Sequence, residues 1–466
     1  MTYEYKALSD EIWGYAETGF TEYKTSDAMV KFLEEHGFEV ERGIADMPTA
    51  YVGTAGHGKP VISFLAEYDA LFSMNQKADV FEHDPITTAD DTGHGCGHHL
   101  LGVGAIRAAV LYKEYLEKTG REGTVKLFGC PAEESGSGKA YLAREGCMND
   151  TDIALTWHPS NFNQVVTGSS QSCISIFFKF HGVSSHAAGS PHLGRSALDA
   201  CELMNVGVNY LREHMETTDR VHYAYLNAGG KAPNVIPSEA TLKYFVRSIS
   251  NPKCVALNER VINCAKGAAL MTGTTVDVIF DEGLSNTVTN ETLENVLAAS
   301  MRKCFKPEYT EEEREYLQKF KNTYDPVQMR NSVPRFARNK QEILKDMEEN
   351  PICSVICDTR HSEEHTPGST DVGDISWVVP TAQINTACYS YGAGGHTWQW
   401  VSQGKSTTAW KGEMFAGEVL ADAAEYLNEH PEEIEKAKQE LKDKLAGEPY
   451  KCLIPDEIKP HVSEVE

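Results

Sequence analysis

An α/β fold built on a largely parallel sheet is predicted by three observations. Short apolar, strand-like runs alternate with helix candidates along the first part of the chain. Three of those runs end on residues able to carry chemistry, and in open α/β sheets chemistry gathers beyond the carboxyl ends of the strands. At 466 residues the chain is also too long for one ordinary core, so two or three domains are expected.

Residues 26–36 carry an amphipathic helix pattern: Met29, Phe32, Leu33 and His36 share a face, Ser26 is a candidate cap and Gly37 a candidate stop. Residues 61–65 form a strand candidate running into Ala66-Glu67-Tyr68-Asp69. Residues 100–111 are rich in apolar side chains and read as helix. A second strand, 124–128, leads to Pro131-Ala132-Glu133-Glu134, and a third, 153–157, ends at His158. The texture changes near Ser172: 173–180 alternates as a strand, 195 to about 214 reads as a long helix, and 239–246 and 275–280 read as strands. This strand–helix–strand pattern predicts a compact α+β insertion, after which residues from about 290 return to the first pattern. Residues 306–350, with an acidic run at 311–315, read as a solvated helical excursion, and 431–445 as a charged structural helix. No internal repeat and no low-complexity segment is visible.

Composition excludes several classes of function. Charged residues make up 24% and apolar residues 41%, the balance of a soluble globular protein. A net charge of −25 argues against nucleic acid, whose phosphates need a cationic surface. The twelve cysteines are scattered, none in a Cys-x-x-Cys pair, and Cys147, Cys173 and Cys201 lie in apolar surroundings. Reduced thiols and a cytoplasmic location are therefore expected. The start of the chain lacks the basic and apolar regions of an export signal, and no apolar run has membrane-spanning length, so no membrane partner is expected.

The chemistry-bearing motifs point to a metal. Cys96 and His98 flank one glycine, and a tight glycine turn can aim thiolate and imidazole at one centre. Glu133 and Glu134 are adjacent on a turn and point in different directions, so one can bind metal while the other serves as general base toward a water. His158 precedes a proline, which favours an extended, fixed exit. His396, in Gly394-Gly395-His396-Thr397, can deliver a last ligand from far along the chain. Sulfur, imidazole and carboxylate together suit a first-row transition ion. There is no Gly-x-Ser-x-Gly elbow, no His-Glu-x-x-His helix and no Walker loop. A Cys96 nucleophile activated by His98 or His99 is the rival, but it leaves Glu134 and His158 idle.

These motifs resemble the M20 metallopeptidase and amidohydrolase family, most of all its amidohydrolase branch and the p-aminobenzoyl-glutamate hydrolase group. The likeness runs through Glu11-Ile12-Trp13, residues 17–22, Leu65–Leu71, Gly93–His98, Pro131–Glu134, Gly182–Ala188, Ser369–Asp374 and Gly395-His396-Thr397. It implies a discontinuous catalytic domain, residues 1–171 and 290–466, with a mixed, largely parallel sheet flanked by helices. It also implies an inserted α+β lid domain, residues 172–289, that pairs with its twin in a homodimer. Two divalent ions per subunit, zinc or manganese, would be held by Cys96, His98, Glu134, His158 and His396, with Glu133 as the base. His186 matches the lid histidine that polarises the scissile carbonyl, often from the neighbouring subunit. Asn234 and Arg247 match substrate-binding positions. Two features depart from the family pattern. No histidine precedes Glu67, so that ligand's role passes to the Cys96 site, and His99 stands where relatives carry Asp or Asn.

The resemblance implies a metal-dependent amidohydrolase of N-acyl amino acids, an aroyl-glutamate of folate catabolism such as p-aminobenzoyl-glutamate first. A hydroxide held by the two ions would attack the amide with help from Glu133. The alternatives are a dipeptidase for unusual dipeptides and a non-catalytic relative that binds metal or a partner, and a second type of subunit is a further expected possibility.

Overall fold

The computed structural model describes residues 3–87, 90–392 and 394–462. In chain order its first strands are β1 Glu39–Arg42, β2 Tyr51–His57, β3 Val61–Glu67, β4 Leu71–Phe72, β5 Thr92–Gly93, β6 Gly123–Cys130, β7 Ile153–Ser160 and β8 Asn163–Val165. They are followed by β9 Ser172–His181, β10 Arg220–Asn227, β11 Glu239–Ser248 and β12 Thr275–Leu284. The last are β13 Ile356–Cys357 and β14 Thr381–Ala387. The chain divides into two compact units.

The first unit comprises the residues up to Ser169, Val288–Glu364 and Ile375–Tyr450. Its eight-stranded sheet has the order β1-β2-β6-β3-β7-β14-β8-β13. The central strands β6, β3, β7 and β14 run parallel, while β1, β2 and β8 add antiparallel pairings toward the edges. All seven residues of β3 are buried, as a parallel strand covered on both faces requires. Helix His98–Thr119 packs on β3, and helix Thr407–Glu429 packs on that helix and on β7 and β14. A Cβ at Gly104 would meet the Trp157 ring at 2.5 Å, so glycine lets the first of these helices lie close on β7.

Three local expectations shift. The helix expected at 26–36 spans Tyr23–Glu35, and Ser26 hydrogen-bonds the Tyr23 carbonyl at 3.1 Å instead of capping. The chain enters that helix at Glu22, whose side chain makes no cap bond because it is committed elsewhere. β7 runs past His158 to Ser160, since its parallel register with β14 continues to Ala387 opposite Ser160. The excursion at 306–350 is helical, at Glu311–Lys321, Pro326–Asn331 and Lys340–Glu349, but it is not merely solvated. Leu317, Phe320, Met329, Ile343 and Met347 bury one face against Phe162 and Tyr391.

The second unit comprises Ser170–Thr287, His365–Asp374 and the residues from Lys451 onward. Its sheet is antiparallel in the order β10-β11-β9-β12. Helices Ala197–Leu211 and Asn251–Thr272 pack on it through Met204, Val208, Leu257 and Val261. Ser196 caps the first of them, accepting from the Asp199 amide at 3.1 Å. Strand β10 escaped the sequence reading because it is an exposed edge with no continuous apolar face. All twelve cysteines are free thiols, and among the described residues no helix is long and apolar enough to cross a membrane.

One buried acid stands apart from the candidate site. Glu413, on the helix Thr407–Glu429, is fully buried, and neither carboxylate oxygen has a hydrogen-bond partner among the described residues. Burial raises its pKa well above the ordinary 4.5, with the Lys6 charge only partly opposing. At pH below that ordinary value both folded and unfolded chains hold the proton. As pH rises the unfolded chain releases it and the folded chain does not, so stability falls. Replacing Glu413→Met should therefore raise stability by about 1–3 kcal/mol at pH 8 and by less at pH 5, as read by thermal unfolding. An equal gain at both pH values would refute this account.

Candidate metal centre

The centre forms where the parallel strands end. β3 delivers Glu67 and, two residues later, Asp69. Gly97, left-handed at φ 86°, turns the chain from Cys96 into the helix that begins at His98. A side chain at Gly97 would strike the Tyr389 hydroxyl at 2.4 Å and Pro159 at 2.8 Å. β6 leads into Pro131–Glu134, with Ala132 at φ 57°, and β7 carries His158. The loop after β14 brings His396, itself at φ 62°. That loop is braced by the helical excursion. The Tyr324 ring fills the space a Cβ at Gly392 would take, at 2.0 Å, and Phe320 packs on Trp398 with ring centres 6.4 Å apart. Gln399 donates to the Thr323 hydroxyl at 3.3 Å.

These segments bring the donors together. Cys96 Sγ lies 3.3 Å from His158 Nε2, and His396 Nε2 lies 3.1 Å from Glu134 Oε1. His98 Nδ1 is 2.8 Å from Asp69 Oδ1, while its Nε2 faces Glu67 Oε2 at 3.2 Å and Glu133 Oε2 at 4.0 Å. Three donor groups result, each with its ligand atoms within 4.8 Å of one another: Cys96–His98–His158, Cys96–Glu134–His396 and Glu67–His98–Glu133. Asp69 has two duties: one oxygen aims His98 and the other accepts from the Glu134 backbone amide at 2.9 Å. Lys139, fully buried, pairs with Glu67 Oε1 at 2.7 Å.

Burial and close mutual charges set the electrostatics of the cluster. Burial pushes the Cys96 thiol well up, and Glu134 adds to it. Burial alone would lower His98, but Cys96 and Asp69 outweigh it and raise the ring's pKa well above the usual range. Burial and then His98 lower His158. Glu134 is held below the usual carboxylate range because the hydrogen bond from His396 and the charge of His98 outweigh burial. Lys139, then His98, does the same for Glu67.

All five expected ligands and Glu133 thus meet in one place. His186, Asn234 and Arg247 lie in the second unit. There the 185–187 and 234–236 stretches pair: the Ala187 amide donates to the Asn234 carbonyl at 2.9 Å. His186 Nδ1 accepts from the Gly189 amide at 2.9 Å, which puts the ring proton on the outward Nε2. Arg247 lies near the far end of β11, opposite Cys173, and donates to Ser369 Oγ at 2.8 Å. His99 is not part of the centre: its Nε2 bonds the Gly404 carbonyl at 3.0 Å and its ring lies beside His94. Burial keeps both of those rings uncharged, His94 down to about 3. Sequence reasoning gave no role to Glu67, Asp69 or Lys139. The signal was available for the first two, acids placed just where a wholly apolar strand stops, but not for a lysine in a run of small residues.

A divalent ion fits these residues. His98 Nε2 is buried without a hydrogen-bond partner among the described residues, while Nδ1 is locked by a carboxylate, the arrangement of a metal-ligating histidine and its supporting acid. Four carboxylates and a thiol converge on one cluster, which a cation neutralises. The fold and this donor set define a candidate ion-binding centre at the ends of a parallel sheet. The sequence pattern of peptidase family M20/M25/M40 matches residues 64–398, and the chain belongs to that family. It is 38% identical over 460 residues to one of the p-aminobenzoyl-glutamate hydrolase subunits of Escherichia coli (strain K12), covering 98% of this chain and 95% of that one. It is 31% identical over 301 residues to the Xaa-Arg dipeptidase of Mus musculus, covering 62% and 65%. Among solved structures it shares its fold with a dinuclear metal-binding peptidase of the M20 family from Bacillus subtilis. That likeness has a TM-score of 0.56 at 17% identity, over 92% of this chain and 98% of the other.

The double duty of Asp69 yields a prediction. Asp69→Asn keeps an acceptor for His98 but turns an amide against the Glu134 backbone. It should weaken metal affinity about 10–100-fold, read by chelator competition. Unchanged affinity would remove Asp69 from its supporting role.

Proposed function

We propose that this chain hydrolyses the amide bond of an N-acyl amino acid, with an aroyl-glutamate such as p-aminobenzoyl-glutamate as the first substrate. The observation that carries this is the place of Glu133. It stands within the donor cluster, 4.0 Å from His98 Nε2, yet its side chain keeps 14% exposure, so it can reach both the cluster and an incoming water. The identity of 38% to a p-aminobenzoyl-glutamate hydrolase component supports the substrate class.

Cys96, His98, Glu134, His158 and His396 would hold two divalent ions, manganese or zinc. Cys96 and His98 each belong to two of the donor groups, so the groups form one continuous cluster. When bound, the ions polarise the scissile carbonyl and make a water acidic enough to lose its proton near neutral pH. Glu133 accepts that proton as the water attacks and returns it to the departing nitrogen. His186, with its proton on the outward Nε2, donates to the carbonyl oxygen as negative charge develops. Arg247 and Asn234 hold the carboxylate of the amino-acid part, a guanidinium matching a carboxylate in shape and charge.

The second unit supports a lid and dimerisation role. His186 and Asn234 lie beyond one end of β9 and β11, whereas Arg247 sits near the other, eight residues along β11 from Glu239. At ~3.3 Å per residue that is roughly 26 Å, too far for one subunit's lid to place all three on one small substrate. Two copies resolve this, His186 and Asn234 coming from one and Arg247 from the other. An apolar surface is available for pairing. Edge strand β10 exposes Tyr223 and Leu226, and the adjacent helix Ala197–Leu211 exposes Val206 and Tyr210. The two are joined by a hydrogen bond from Asn205 to the Tyr225 hydroxyl at 3.1 Å.

The likeness to the Xaa-Arg dipeptidase favours a dipeptidase as the second reading. A panel of aroyl-glutamates, other N-acyl amino acids and dipeptides, run with and without chelator, separates the two. The expected outcome is chelator-sensitive hydrolysis of aroyl-glutamate, restored by manganese or zinc. Because the Escherichia coli relative is one of two differently named components of its hydrolase, the panel includes a run with a candidate second type of subunit. Glu133→Ala should keep its metal, by elemental analysis, and lose turnover. Refolding Glu133→Ala together with His186→Ala should recover roughly a quarter of wild-type activity, since each hybrid dimer has one intact site. No recovery would exclude a site shared between copies.

A further inference from the structure

Glu22 is a carboxyl group buried to 0% exposure with no cation beside it among the described residues, a placement that opposes solvation and calls for a reason. Burial and then Asp69 push its pKa to about 8. Its oxygens are both engaged. Oε1 accepts from the Ala132 backbone amide at 2.9 Å, and Oε2 from the Thr49 hydroxyl at 2.9 Å. Thr49 is itself held, its carbonyl accepting from the Tyr68 hydroxyl at 2.7 Å.

Ala132 is the residue before Glu133, and it adopts φ 57°, a left-handed conformation that an alanine leaves readily unless something fixes it. Two buried acids therefore bracket Glu133: Glu22 on the amide of Ala132 and Asp69 on the amide of Glu134. The bracket is tightly built. A Cβ at Gly19 would meet Ser135 Oγ at 2.5 Å and Ala132 Cβ at 2.8 Å, and one at Gly136 would meet the Phe20 ring at 2.3 Å. The 19–22 stretch and the 132–136 turn are thus packed face to face, with Glu22 as the polar tie between them.

We infer that Glu22 is a positioning residue for the general base: by holding the Ala132 amide it sets the direction in which the Glu133 carboxylate leaves the turn. This rests on the reading of Glu133 as base. Glu22 hydrogen-bonds Ala132 and Thr49 and belongs to none of the donor groups. Its loss should therefore misplace the base without emptying the ligand set, because Glu134 keeps its own hold through Asp69.

The test compares Glu22→Gln, which keeps an acceptor oxygen for Ala132, with Glu22→Met, which has similar volume and none. Both are set beside Glu133→Ala, with metal content, kcat and KM measured on the best substrate of the panel. Glu22→Met should lower kcat about a hundred-fold, the effect of moving a catalytic group by about 1 Å, with KM and metal content near wild type. Glu22→Gln should recover most of that loss. Normal kcat in Glu22→Met beside an inactive Glu133→Ala overturns the inference and leaves the base reading intact. Equal losses in Met and Gln overturn it too, since the hydrogen bond then does not matter. Turnover in Glu133→Ala sinks the base reading and this one with it. If Glu22→Met does not fold, Thr49→Val frees one oxygen of Glu22 and should lower kcat with metal retained; no change in kcat there counts against the inference.

Discussion

Concentrated negative charge at the ends of two central parallel strands, β3 and β6, is the constraint around which the first unit is built. Glu67, Asp69, Glu133 and Glu134 lie with the Cys96 thiol in largely buried surroundings, and Lys139 offsets one of these charges. Nothing in folding favours such a cluster for its own sake. Imidazoles interleave the acids, and two of them have a fixed outer partner: Asp69 for His98, the Pro159 carbonyl for His158. Those partners decide which ring nitrogen faces the cluster. The stiffness of the surrounding sheet and helices is what keeps repelling groups from relaxing apart.

Much of the fold was legible because its signals were local. The runs at 61–65, 124–128 and 153–157 are apolar enough to announce strands covered on both sides, and all three are central in the sheet. What the chain hides is anything set by pairing. β10 has an edge strand's mixed exposure and no stripe to read, and the extension of β7 through Pro159 follows from its neighbour's register, not from its own residues. Ser26 looked like a cap because caps are read from residue type, whereas the true start of that helix is set by where Glu22 is buried.

The donors show the same division. Cys96, His98, Glu133, Glu134 and His158 follow apolar runs or sit between glycines, so their convergence follows once parallel strands are assumed. Supporting groups were invisible for a physical reason. Asp69, Lys139 and Glu22 act by what they touch across the fold, and a lone acid or lysine in a sequence looks the same whether it faces water or a buried amide. His99 shows the converse. Its place beside His98 suggests the centre, but one residue along a helix rotates a side chain by about 100°, and it points to Gly404 instead.

The excursion between residues 306 and 350 contributes no donor, yet it grips the segments on both sides of His396 through Tyr324, Phe320 and Thr323. The reach of the most exposed imidazole is thus inherited from a remote stretch of chain. Two homologues with identical ligands but different inserts there would present differently shaped mouths. Such a stretch lets a lineage remodel what enters without disturbing the chemistry beneath.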